Sequence, residues 1–181
     1  MIRRRAVLAS LPTLLAACEG GPVDSIVIPA GVFQGASDPL FQSAEIAFHL
    51  LVARPQALAG APANAAYALL MYEIATVEAG SGRLSDRWPA RLLREARPAL
   101  RAASGLASEA TAQQVVDALW AASQALRRGN EEAARAALSP PVATDAALAR
   151  DRLQRLAVPT QVGRALRELR LALQREGDPS R

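Results

Sequence analysis

Residues 62–79 read PANAAYALLMYEIATVEA, and this stretch decides the fold. Pro62 opens it and Gly80-Ser81-Gly82 ends it, as proline at a first turn and glycine past a last turn do in helices. Its apolar residues (Ala65, Ala66, Leu69, Leu70, Tyr72, Ile74, Ala75, Val77) go nearly all the way round a 3.6-residue period. A helix apolar on every side belongs in the middle of a bundle. Two carboxylates interrupt it, Glu73 and Glu78. A carboxylate in a helical interior is costly unless paired. Glu73 therefore predicts a nearby arginine, with Arg54 a candidate, or a polar pocket in which Glu73 and Tyr72 touch a ligand.

Helical patterns continue on both sides. Asp38-Pro39 predicts an N-cap and first turn, followed by Phe41, Ala44, Phe48 and Leu51 facing inward until Arg54-Pro55. A third helix starts at about Pro89, with Leu92, Ala96, Leu100 and Ala103 on one side and a kink at Pro98. Thr111 to Gln114 predicts a capping box for a fourth, closed by Gly129. Asn130 caps a short fifth that Pro140-Pro141 ends, Thr144 caps a sixth reaching about Ala157, and Thr160 caps the last. The expectation is all-α: one compact, bundle-like domain of six or seven short helices over residues 38–176, with a tail at 177–181. Composition agrees, since hydrophobic residues make up 51% of the 181 but aromatics only 4%, leaving little for a sheet.

Ahead of the helices stands MIRRRAVLASLPTLLAAC, residues 1–18. Arg3, Arg4 and Arg5 form a positive start, Ala6 to Ala17 an apolar run, and Leu15-Ala16-Ala17 leads directly into Cys18. The run is too short to span a bilayer, which takes about 20 apolar residues, and reads as a secretory signal. Leu15 to Cys18 resembles the lipobox of bacterial lipoprotein precursors. That resemblance implies cleavage between Ala17 and Cys18, acylation of Cys18, and a lipid-anchored protein on the periplasmic side of a bacterial membrane. Glu19 is not the Asp that favours inner-membrane retention in some bacteria, which points to the outer membrane. Arg4-Arg5-Ala6-Val7-Leu8 partly resembles the twin-arginine export motif. Residues 18–37 are rich in Gly and Pro and read as a tether, although Ile26-Val27-Ile28 and Val32-Phe33 are too apolar for a fully solvated one.

Loss of Arg3, Arg4 and Arg5 with the leader takes the formal charge from +4 to +1, so the basic composition does not point to nucleic acid. All 21 basic residues are arginine. Residues 18–82 hold one Arg against six acids, and 83–181 hold seventeen Arg against eleven, an electrically polarised chain. Arg83, Arg87, Arg91, Arg94, Arg97 and Arg101 recur every three or four residues and predict a basic face on one helix. Arg91, Arg94 and Arg101 are its candidates for contact with an acidic envelope protein or anionic lipid.

One Cys and one His exclude a disulfide framework and a Cys/His zinc cluster. Glu45 and His49, one helical turn apart, are the one pair that could serve as an oriented base or ligand, with Glu73 as a third group. The alternative is an exposed polar stripe of Gln42, Glu45 and His49. No motif implies a cofactor, a metal or a catalytic residue. Residues 125–134 (ALRRGNEEAA) resemble the inter-helix turn of a tetratricopeptide hairpin, with Ala134 at the small crossing position, but no period of about 34 residues follows. The sequence reading is a lipid-anchored, non-catalytic interaction or scaffold module. A carrier of small ligands near Glu73, or an enzyme built on His49, are the rival classes.

Overall fold

The structure, a computed structural model, describes residues 24–35 and 38–177. Among these, seven α-helices follow one another with no strand between them: α1 (Pro39–Phe48), α2 (Pro62–Glu78), α3 (Trp88–Ser104), α4 (Ala112–Arg127), α5 (Glu131–Ala137), α6 (Ala146–Gln154) and α7 (Thr160–Glu176). The domain is all-α and single. Its centre is α2, which packs against α1 and α4 along most of its length and also against α3 and α6. Every residue from Ala68 to Val77 on this helix is buried. α7 closes the far side against α3 and α1. No described helix is long and apolar enough to cross a membrane.

Local signals explain most of the boundaries. Asp38 Oδ1 accepts from the backbone N–H of Leu40 at 2.8 Å, and Pro39 follows as the first helical residue. Thr111 and Gln114 form the reciprocal capping box. Asn130 caps α5, and Ala134 is fully buried where α5 crosses α4. Gly105 ends α3 in the left-handed region at φ 77°, and a Cβ there would lie 3.0 Å from the Ala149 backbone. Only glycine permits both the turn and the close approach of α6.

Three details differ from the sequence expectation. Ala44 on α1 and Leu51 just beyond it face inward as expected, but Leu40 and Ala47 take the core positions expected of Phe41 and Phe48, and Phe41 is 53% exposed. Asp145, not Thr144, caps α6, because its carboxylate accepts from Leu148 N at 2.9 Å; that helix stops at Gln154, whose carbonyl accepts from Gly60 N. Pro159 rather than Thr160 precedes α7, held extended at ψ 141°.

Residues 24–35 lie against the helices as a strap. Val32 is buried, and Ile26, Ile28 and Phe33 pack on the core. The Gln113 side chain on α4 exchanges two hydrogen bonds with the Val27 backbone, and Asp24 pairs with Arg97 at 2.5 Å.

Candidate functional site

Glu73 faces the core from α2 and is paired, as a buried carboxylate must be. Its partners are Arg97 and Arg101 of α3, not Arg54, which is exposed beyond the end of α1. Arg101 Nε and Nη2 donate to the two carboxylate oxygens at 2.7 and 3.0 Å, and Arg97 Nε donates to Oε2 at 2.7 Å. Arg97 Nη2 lies 2.6 Å from the same oxygen without hydrogen-bond geometry. Arg101 Nη1 also donates to the carbonyls of Ala110 and Ser108, tying down the loop before α4. Burial works against the Arg97 charge, but Glu73 and Asp24 together outweigh it and hold its pKa above the ordinary arginine value. Tyr72 is fully buried and donates to the Leu93 carbonyl at 2.8 Å. Burial, with the Glu73 charge beside it, raises its pKa. The space around Glu73 and Tyr72 is thus filled by protein groups.

The expected basic face is not one surface. Arg83 and Arg87 precede α3, while Arg97 and Arg101 point inward. Arg101, expected as a contact residue, is 5% exposed. Arg91 and Arg94 are exposed, with Arg91 bridging to Glu95 and stacked over Trp88. The polarity along the chain is folded back on itself as well. Asp24, Asp38, Glu45, Glu73 and Glu78, the described acids of the first half, all pair with arginines from residue 83 onward.

An open groove of about 660 Å³ lies elsewhere, bounded by the strap, α1, α2 and α4. The strap supplies Gly31 to Gln34, α1 supplies Phe41, Gln42, Glu45 and Ile46, and α2 supplies Tyr67. α4 contributes Trp120, Gln124 and Arg127, which share one helical face by their spacing of four and three. Four of the seven aromatic residues of the chain therefore meet here: Phe33, Phe41, Tyr67 and Trp120. Gly31 has φ 84°, and a Cβ there would lie 3.6 Å from the Trp120 ring. Tyr67 donates to the Val32 carbonyl at 3.4 Å, and partial burial raises its pKa despite Arg127, whose guanidinium sits 5.2 Å over its ring. The side-chain amides of Gln34, Gln42 and Gln124 and the indole N–H of Trp120 have no partner among the described residues. Glu45 is held by Arg170 at 2.9 Å, and Arg170 stacks over Phe48. The sequence reading missed this groove. One signal for it was present, the excess of apolar residues in a stretch otherwise composed as a tether.

His49 is exposed at the end of α1, and Glu45 is engaged by Arg170. Among the described residues no cluster of three or more His, Cys, Asp and Glu is placed to hold a metal. His49→Gln is expected to shift stability by less than about 0.5 kcal/mol, as at other exposed positions, and to leave metal content unchanged. Urea unfolding and elemental analysis of protein purified without chelator check it; stoichiometric metal lost on substitution would make Glu45 and His49 a site. Ala17 and Cys18, the expected cleavage and acylation positions, lie outside the described residues. A scan against protein-family models and searches of the curated proteins and the solved structures find no match for this chain.

Proposed function

We propose that the protein is a lipid-anchored module of the bacterial envelope, facing the periplasm with outer-membrane retention favoured, and that it works by binding rather than catalysis. The groove is its contact surface. The observation that carries this reading is the gathering in one open concavity of four aromatic rings and several polar groups without a partner among the described residues, while the buried carboxylate is consumed by ion pairs. The anchor half of the proposal rests on the charged start, the apolar run and the Leu-Ala-Ala-Cys sequence ending at Cys18. Several acyl chains would hold the protein firmly where one is marginal. The partner is a ligand or envelope component that enters the groove. An anionic lipid surface is poorly served, because the arginines meant for it are largely occupied within the fold.

Two measurements test the two halves. Intact mass of the membrane-extracted protein should show loss of residues 1–17 and acylation of Cys18, and Cys18→Ser should leave an unlipidated precursor. Unmodified Cys18 on a chain still starting at Met1 would defeat the anchor. For the groove, a photoreactive benzoylphenylalanine replacing Phe41 should give a discrete crosslinked product in cells. The same group at Leu171, exposed on α7 away from the groove, should not. Equal products from both positions, or none from Phe41, would remove the groove as the contact surface.

A further inference from the structure

Resting on the groove as the contact surface, we propose its ligand class: a short, uncharged oligosaccharide. A pyranose ring offers an apolar C–H face and a rim of hydroxyls, each both donor and acceptor. The groove offers the complement of both. Phe41 is half-exposed, Trp120 and Tyr67 are half-buried, and all three line the open space, Tyr67 with one ring face under Arg127. Gln42 and Gln124 line the same space, with Gln34 on the strap, and a side-chain amide donates and accepts from one planar group. These amides have no partner among the described residues.

Three other ligand chemistries fit less well. A wholly apolar ligand would strip water from three amides and an indole N–H and give nothing in return. A cation would meet Arg127 already stacked on Tyr67, and the one carboxylate of the groove, Glu45, is committed to Arg170. A proline run would stack well, but its backbone offers carbonyl acceptors and no donors, leaving the acceptor half of each amide unanswered. A saccharide satisfies rings and amides together.

The two tryptophans make the test direct. Trp88 lies outside the groove, so the full-length Trp88→Phe protein reports Trp120 alone. This protein, in a zwitterionic detergent without a sugar headgroup, is titrated with chitotetraose, with cellotetraose and with a decaproline peptide while indole emission is followed. Saturable change with at least one tetrasaccharide is expected, weakened about tenfold or more by Phe41→Ala and by Gln124→Ala. Phe41 is exposed and Gln124 half-buried, and circular dichroism checks that both variants keep the fold. No saturable response to either sugar overturns the proposal. So does sugar binding that both substitutions leave unchanged, since the site would then lie elsewhere. Saturation by decaproline alone overturns the ligand class but keeps the groove, whereas silence of every probe joined to a failed crosslink from Phe41 removes the groove reading as well.

Discussion

Glu73→Gln is expected to destabilise the fold by about 3–5 kcal/mol, the cost of leaving buried cations without their counter-charge. The loss falls on two arginines at once. Arg101 is 5% exposed and is left with no counter-charge, only neutral carbonyls such as those of Ala110 and Ser108, while Arg97 keeps Asp24 as its one carboxylate. Against a typical total of about 5–15 kcal/mol this is a large fraction, and equilibrium urea unfolding measures it. Removing the whole cluster is a separate case. A triple replacement by Leu at 73 and Met at 97 and 101 removes every buried charge and should recover much of the loss. Recovery stays incomplete, because the Ala110 and Ser108 carbonyls lose their donor. A single Glu73→Gln variant within about 1 kcal/mol of the parent would mean that water reaches this cluster freely.

The second large effect is expected at Leu70, which is fully buried near the middle of α2. Leu70→Ala should cost about 2–5 kcal/mol, combining the lost transfer energy with the cavity left between α2 and its neighbours. The site has little means of collapsing, since α2 is enclosed by α1, α4, α3 and α6 together. Urea midpoints with an unchanged slope would report this as loss of packing. A shift below about 0.5 kcal/mol would place this helix at the surface.

These two residues mark how much the chain reveals before it is folded. The centrality of α2 was legible, because an all-round apolar helix has nowhere else to go. So were the Asp38, Thr111 and Asn130 caps, whose signals lie within three residues of the groups they satisfy. That Glu73 needs arginine followed from electrostatics, but which arginine did not. Arg54 is nearer along the chain, whereas Arg97 and Arg101 come within reach only once α3 is laid beside α2. The basic face failed for the same reason, since regular spacing tells which residues share a side and not what that side meets. The groove was harder still. Its rings come from four elements, and on α1 a one-residue error in phase exchanged Phe41 for Leu40 as the core residue. Exposure of Phe41 is what makes the groove aromatic on that wall.

The ion pair between Asp24 and Arg97 also sets a height. Six residue steps separate Cys18 from Asp24, and a chain fully drawn out covers about 3.3–3.6 Å per step, so an acylated Cys18 stays within about 20 Å of that pair. Residues 24–35 lie against the helices, so under the proposed anchor little chain would be left to stand off from a bilayer. Under the proposed anchor at Cys18, such a body would skim its membrane and could not reach far into the space beyond.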